Sequence, residues 1–325
     1  MSSTSINDPN AYQVERDLPL FASVLLAAGI GSRLRPLTDV IPKPGLPLLD
    51  VPLAVWGLAD LKALGAPVIM NLSEHHEAVL AALGETADDV EMFLEPTPLG
   101  SAGTIAALRE RFEGPIVTRN ADLLSSLSSA DVVNTHRRTG APTTIAVQVV
   151  DSGADLVGSG SDLRLIDRRT VDVAGLRFLG LSVFERDALD LLETGGPRDL
   201  ASGLLRHLID RGMVATHVHD GYALDVGTPA RYLTASLDLL AGVALRPPTP
   251  FPGKIVEVDG GRTYIGPGAA VEETSLGPGA IVLRGARVDQ GARVTNAIVW
   301  LNERVPSDVD LEGAIWAFGQ RIDPT

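Results

Sequence analysis

FASVLLAAGIGSRLRPLTDVIPKPGLPLLDVPL, residues 21–53, decides how the chain is read. Residues 21–27 are an unbroken apolar run, the pattern of a strand buried on both faces of a parallel sheet. A loop rich in glycine and proline follows directly. Gly29 and Gly31 let the backbone turn tightly, so that successive N–H groups can face phosphate oxygens. Arg33, Arg35 and Lys43 then bring three cations into the same loop. Arginine grips a phosphate through paired hydrogen bonds, whereas lysine acts as a compact point charge. The loop is not a P-loop, because no GKS or GKT opens a helix. Nor is it a dinucleotide fingerprint, since Leu34 stands where the third glycine of GxGxxG would be. A lone GxG after a strand is most often an ordinary turn; the cations and the PKP turn the reading toward a phosphate site.

Outward from this loop, strand-like and amphipathic runs alternate. A helix is expected over about 52–64, a strand over 67–71 and a helix ending near Leu83 with Ser73 as its cap. A strand over 90–94, a helix over 101–112 and a strand over 115–119 continue the series. Such alternation predicts an α/β fold with a doubly wound, mostly parallel sheet, whose ligand site lies beyond the carboxyl ends of the strands. After Ala141 strands dominate (142–150, 163–166, 177–184, 214–218 and 222–226), with helices over 185–193, over 199–211 and from about Pro229.

Composition narrows the function. Of 325 residues 45% are hydrophobic, enough for a large core and one or two domains. The net charge of −14 excludes the broad positive field that holds nucleic acid or an anionic membrane, so any phosphate chemistry needs a local cluster of cations. The absence of cysteine excludes disulfides, thiolate catalysis and Cys-ligated zinc, and fits a reducing cytoplasm. Residues 1–20 are polar and read as a flexible tail without an apolar h-region, and no apolar run is long enough to span a bilayer. Lysine occurs only at positions 43, 62 and 254, which makes Lys43 the more informative.

A first unit is expected over 21–243 and a proline-rich linker over 244–253. Beyond it, Ile265, Val271, Leu276, Val282, Val288 and Val294 recur with a period near six. Small residues (Ala269, Ser275, Ala280, Ala286 and Ala292) accompany them, and one step, at Leu276, is shorter by a residue. The alternative is a glycine-rich low-complexity tail, but aliphatic spacing has no reason to keep register without a core. The period predicts a parallel β-helix over 254–325, with aliphatic side chains stacked inside and small residues at the corners. So few coils need packing on the first unit or on another subunit.

AAGIGSRLRPLT…PKP resembles the N-terminal signature of the sugar-phosphate nucleotidyltransferases, and PKPGLPLLDVPL is similar to their mannose-1-phosphate guanylyltransferase branch. EPTPLGSAGT (95–104) is similar to the family segment that contacts base and ribose. NAD (120–122) stands where the family has an Asp-ending strand motif, and LDVGTP (224–229) resembles its second metal-binding segment. The resemblance covers nearly the whole chain after residue 20. It implies a Rossmann-like nucleotidyltransferase domain over 21–243 and a C-terminal left-handed parallel β-helix. The implied activity is nucleotidyl transfer from an NTP, GTP favoured, to a sugar 1-phosphate or a cyclitol phosphate, with release of pyrophosphate. From the charge, the missing cysteine and the few coils, a cytoplasmic homo-oligomer joined through the C-terminal unit is expected, without nucleic-acid or membrane partners. By the same resemblance Ala27, Ala28, Gly29, Gly31, Ser32, Pro98, Gly100, Ser101 and Asn120 bind the nucleotide. Arg33 polarises the triphosphate, Lys43 bridges the attacking and α-phosphates, and Asp122 and Asp225 hold Mg²⁺.

The chemistry agrees with such a set. The reaction brings two anions together, so positioning and charge neutralisation dominate. Mg²⁺ takes one or two carboxylates and completes its shell with phosphate oxygens and water. Asp122 and Asp225 each follow a strand, so a parallel sheet could bring them together; taken singly, either reads equally as a cap or turn carboxylate.

The chain departs from the family twice. It has no Glu-Lys-Pro acceptor segment; Asp167 and Arg168 stand near that place, where Arg168 would substitute for the lysine and Gly180 would admit the sugar. Ala121 replaces the commoner glycine of NGD and adds a methyl where the nucleotide backbone approaches. Two further readings follow: a catalytically silent regulatory homologue that binds nucleotide sugars, and an NAD-dependent oxidoreductase, which the loop disfavours. Asn71 with His75 and His76 resembles a stretch of related transferases, though the two histidines also read as a solvated helix start. His217 and His219 read as packing residues, and Trp300 and Trp316 as apolar anchors.

Overall fold

The computed structural model describes residues 22–167, 171–192, 198–243, 248–271 and 276–324. The tail over 1–20, Arg168, Ser275 and the first residues of the 244–253 linker lie outside them.

The apolar run forms β1 (Ala22–Leu26), followed by the glycine loop in three short 3₁₀ turns. A hairpin of β2 (Pro47–Leu48) and β3 (Val51–Pro52) then precedes α1 (Ala54–Lys62). The helix expected from residue 52 is delayed because Pro52 pairs with Pro47 across Leu49 and Asp50, both at positive φ (49° and 61°). Two such residues make the tight turn whose twist suits a hairpin. β4 (Val68–Leu72), α2 (His76–Leu83), β5 (Glu91–Leu94), α3 (Gly100–Leu108) and β6 (Ile116–Asn120) continue the alternation. β1 lies between β4 and β6, parallel to both, and β5 runs parallel to β4. Ser73 does not cap α2. Its hydroxyl donates to the Ala28 carbonyl at 2.9 Å, and His75, at φ 56°, begins the helix without a side-chain cap.

Beyond β6 the sheet is mixed. β7 (Leu123–Ser125) leaves it, α4 (Ser129–Thr139) follows, and β8 (Thr143–Val150), β9 (Leu156–Val157), β10 (Arg164–Leu165) and β11 (Gly175–Phe184) extend it. β11 is antiparallel to β6, β8 and β9, so the mostly parallel expectation holds for the β5-β4-β1-β6 half, while the other half is mixed. α5 (Arg186–Leu189) and α6 (Arg206–Asp210) are shorter than the sequence suggests, the latter opening as a π-helical turn over Ala201–Leu205. β12 (Val214–Val218) pairs with β8, while β13 (Ala223–Asp225) leaves the sheet to pair with β7. α7 (Pro229–Ala241) has the expected ends: Thr228 accepts from the Arg231 N–H, Pro229 opens the first turn, and Gly242, at φ 72°, stops it.

The C-terminal stretch opens with the hairpin of β14 (Lys254–Val258) and β15 (Gly261–Ile265). It continues as β16 (Ala280–Val282), β17 (Arg287–Val288), β18 (Arg293–Thr295), β19 (Ala297–Val299), β20 (Arg304–Val305), β21 (Asp310–Glu312), β22 (Ile315–Ala317) and β23 (Gln320–Ile322). Parallel pairs β16–β19–β22, β17–β20 and β18–β21 stack the chain in three-sided coils. Val282 meets Val299, Val288 meets Val305 and Val294 meets Leu311, so the coil advances by seventeen residues. Five residues instead of six also complete the sides ending at Val299 and Trp316, though the short side at Leu276 is a different one, since Leu276 bridges Val294. The expected aliphatic stack and its small corner residues Ala280, Ala286 and Ala292 are buried together.

This coil shares a core with the first unit. Tyr264, Ile281, Leu283, Ile298 and Trp300 join the cluster formed by the β2–β3 hairpin, α1 and α7. Trp300 meets Tyr232 edge to face at 5.9 Å, and Trp316 stays within the coil, its Nε1 donating to the Arg304 carbonyl at 2.9 Å. Both tryptophans thus pack inside the chain.

Candidate active site

A buried polar network fixes the carboxyl ends of β1, β4 and β5. The Ala27 N–H donates to Asn71 Oδ1 (2.6 Å), and Asn71 Nδ2 donates to Glu95 Oε1 (2.8 Å). Glu95 also accepts from Thr104 Oγ1 (2.5 Å) and the Leu99 N–H (2.9 Å). A buried carboxylate with three donors is a rigid post. Above it lies a cleft of about 210 Å³ lined by Ala28, Gly29, Pro98, Gly100, Ser101, Asn120 and Asp122, most of the residues expected to hold a nucleotide. Ala27, which is buried, Gly31 and Ser32, which is exposed, are not among the residues lining this cleft. Gly100 and Ser101 also anchor the neighbouring segment. Gly100, at φ 72°, leaves room for the Arg198 carbonyl, and Ser101 Oγ accepts from the Leu200 N–H at 2.7 Å.

Of the two loop glycines, only Gly31 is required by backbone geometry. It sits at φ 78°, and a Cβ there would stand 2.9 Å from Lys43 Cβ. Gly29 has no left-handed φ and nothing within 4 Å of where a Cβ would stand, so it presents bare backbone to the cleft.

Gly31 allows Lys43 to pass inward. The lysine is 6% exposed, and its ammonium lies 2.8 Å from Asp122 Oδ2 and 3.0 Å from Asp225 Oδ1. The main sheet does not bring these aspartates together. The separate β7–β13 ladder does, setting Leu123 opposite Asp225, while the Val226 N–H donates to the Asp122 carbonyl at 3.1 Å. A buried ammonium is tolerable because both carboxylates pair with it. The same carboxylates suit a hard divalent cation, since they converge on one cation from two elements and are themselves half-buried, facing the clefts. Among the described residues no group of three or more His, Cys, Asp or Glu converges, so these two carboxylates would leave most of such a cation's shell to phosphate oxygens and water.

Arg33 lies alongside. Its Nη2 is 2.9 Å from where a Cβ on Gly227 would stand, so that glycine opens the path beside Asp225. With Asn120, Asp122, Gly180 and Asp225 it lines a second cleft of about 590 Å³. Arg35 does not join the cluster; it is exposed and pairs with Asp39 at 3.0 Å.

Gly180 lines the second cleft, as expected for a residue on the acceptor side. Gly180 sits at φ 67°, and a Cβ there would come within 2.6 Å of the Asn120 amide, so its smallness first serves Asn120. Asp167 is exposed and not among the residues lining this cleft, and Arg168 lies outside the described residues. Ala121, in the turn between β6 and β7, is buried in the apolar core, while Asn120 and Asp122 on either side of it line the clefts.

Sequence reasoning missed Arg177 and Arg231, which also line the larger cleft. Arg231 Nη1 is 3.4 Å from the Asp225 carbonyl and 3.9 Å from Asp225 Oδ2. Arg177 Nη2 donates to the Ser152 carbonyl at 3.1 Å. Neither belongs to a quoted motif, and an arginine in a first helical turn or along a strand carries no distinguishing signal. His75 and His76 border a separate hollow, and His217 Nδ1 lies 2.8 Å from Thr135 Oγ1 on the far side of α4.

Residues 22–155 match the family described as nucleotidyl transferase. The chain is 29% identical over 303 residues to the mannose-1-phosphate guanylyltransferase of Mycobacterium tuberculosis, covering 89% of this chain and 82% of that one. It is 26% identical over 339 residues to the UTP–glucose-1-phosphate uridylyltransferase of Synechocystis, covering 86% and 87%. The solved structure of HddC from Yersinia pseudotuberculosis superposes with a TM-score of 0.56 at 19% identity, covering 68% of this chain and 100% of that one. The matched N-terminal segment and the similarity along most of the length make this chain similar to the nucleotidyl transferases, and the superposition shows that it shares their sheet.

Proposed function

We propose that this protein transfers a nucleotidyl group from an NTP, with GTP favoured, to a sugar 1-phosphate or cyclitol phosphate and releases pyrophosphate. The observation that carries the reading is the clasp of Lys43 between Asp122 and Asp225, beside Arg33 and the Gly31 turn. The nucleotide would occupy the smaller cleft and the acceptor the larger one, with Asn120 and Asp122 on the wall common to both. Asp122 and Asp225 would hold Mg²⁺, which when bound offsets triphosphate charge and orients the α-phosphate. Lys43 would then turn its charge from the carboxylates to the phosphates being joined. Arg33 would hold the departing pyrophosphate. An acceptor phosphate oxygen forms its bond to the α-phosphorus as the bond from that phosphorus to pyrophosphate breaks. No base is required, because a phosphate monoester is already ionised near pH 7.

Guanylyl transfer is favoured by the quoted PKPGLPLLDVPL segment and by the guanylyltransferases among the relatives. In place of a Glu-Lys-Pro segment, Arg177 and Arg231 supply cations on the acceptor side. The same reading includes a left-handed coil, assembly of copies through it and a cytoplasmic setting.

The test is pyrophosphate release from purified protein with Mg²⁺, each NTP in turn and a panel of sugar and cyclitol phosphates. Release with GTP and at least one acceptor supports the proposal. Tight nucleotide-sugar binding without release for any pair overturns it in favour of a silent regulatory homologue.

A further inference from the structure

Arg119 stands in β6 immediately before Asn120, Ala121 and Asp122, where a strand buried between neighbours ordinarily carries an apolar residue. Its side chain is 2% exposed. The guanidinium donates to Asp60 Oδ2 on α1 (2.7 Å), to Ser125 Oγ at the end of β7 (3.1 Å) and to the Leu127 carbonyl (3.1 Å). Asp60 in turn accepts from the Ser129 N–H at 3.1 and 3.2 Å and from the Ser129 hydroxyl. One buried ion pair therefore ties β6, β7 and the start of α4 to α1, and closes the stretch 119–125 around Asp122.

Such a pair is an expensive way to fill a core. Burial disfavours the charged guanidinium, its Nε has no partner among the described residues, and apolar side chains of similar volume often serve stability as well. What an apolar residue could not do is hold Ser125 and Leu127 at once. β7 is the strand whose pairing with β13 puts Leu123 opposite Asp225. Resting on the two-carboxylate reading given above, we propose that Arg119 is a positioning residue. It sets the spacing of Asp122 and Asp225, and thereby the affinity of the site for a divalent cation. Mg²⁺-sized ions demand oxygen ligands at about 2.1 Å in near-ideal octahedral geometry, so a small slip of β7 weakens cation binding more than it weakens contacts to a nucleotide.

The test uses the full chain and Mn²⁺, with free Mn²⁺ followed by electron paramagnetic resonance in the presence of GTP. Arg119→Lys keeps the charge beside Asp60, but its single ammonium cannot span Asp60, Ser125 and Leu127. It is expected to bind Mn²⁺ about tenfold or more weakly, the usual cost of losing an outer-shell support. Metal-free GTP binding and the unfolding midpoint should stay close to wild type. Wild-type Mn²⁺ affinity in folded Arg119→Lys overturns the proposal. If that variant does not fold, Ser125→Ala removes one contact to β7 and is read the same way: weaker Mn²⁺ binding supports the assignment and unchanged binding overturns it. A wild-type protein that binds no Mn²⁺ with GTP defeats the two-carboxylate site itself, and the role of Arg119 falls with it. Normal wild-type binding with unchanged variants defeats the Arg119 assignment alone.

Discussion

Asp50 and Tyr264, 214 residues apart, share a 3.0 Å hydrogen bond that joins the loop carrying Lys43 to the C-terminal coil. The second Asp50 oxygen accepts from the Arg284 N–H at 3.0 Å, and the Tyr264 hydroxyl accepts from the Gly253 N–H at 3.0 Å. Burial pushes the Asp50 carboxyl above its ordinary range while these donors pull it back, and burial also raises the Tyr264 hydroxyl. The coil thus supports the hairpin that follows the glycine loop.

Tyr264→Phe leaves the Gly253 N–H without its acceptor and Asp50 short of a donor. A buried polar group left unpaired costs about 1–3 kcal/mol. Urea unfolding should show that loss in a single transition, because the apolar core runs through both units. Two separate transitions in the wild type would contradict this coupling.

Lys43→Met removes the ammonium from between two carboxylates while keeping much of its packing. Without nucleotide, the variant should bind Mn²⁺ more tightly than wild type, since the competing cation is gone. Its turnover should fall by about 100-fold or more, the scale of losing a preorganised charge at a reacting phosphate. Calorimetric titration and pyrophosphate release read the two effects; weaker Mn²⁺ binding would refute the shared-cation geometry.

Ala121→Gly tests which way that methyl faces. A methyl in the core predicts a stability loss of about 1 kcal/mol with nucleotide affinity unchanged. A marked gain in nucleotide affinity would place the methyl against the ligand instead.

His136 gives a pH signature. It is buried, with Nδ1 3.0 Å from Thr144 Oγ1 and Nε2 3.2 Å from Glu185 Oε1. Burial holds its pKa below the ordinary 6.5. As pH falls, the unfolded chain therefore takes up this proton before the folded one does. The stabilisation is full above about pH 6.5 and is lost as pH drops through the lowered folded value. Unfolding free energies of wild type and His136→Gln, measured from pH 8 to pH 5, should differ in slope, with the variant flatter. Parallel curves would exclude the site as an acid-sensitive element.

Local pattern revealed much of this molecule because its signals are short in range. The apolar run at residues 21–27, the glycine turn with PKP and the six-residue aliphatic period each depend on neighbours a few positions apart. They determined the run of parallel strands around β1, the glycine loop and the coil. Motif resemblance also singled out Asp122 and Asp225, but the reason they meet is tertiary: β7 and β13 form their own small ladder outside the main sheet. Ser73 looked like a cap and instead bonds the Ala28 carbonyl. Arg35 looked like a phosphate ligand and instead pairs with Asp39. Arg119, Arg177, Arg231 and Asp50 carried no sequence signal, since a charged side chain gains its role from partners that only folding brings within hydrogen-bond reach. The sequence by itself determined which residue types could handle a phosphate. The tertiary structure decided which of them share a cation, because pairing and burial act over ångströms in space and not over positions in the chain.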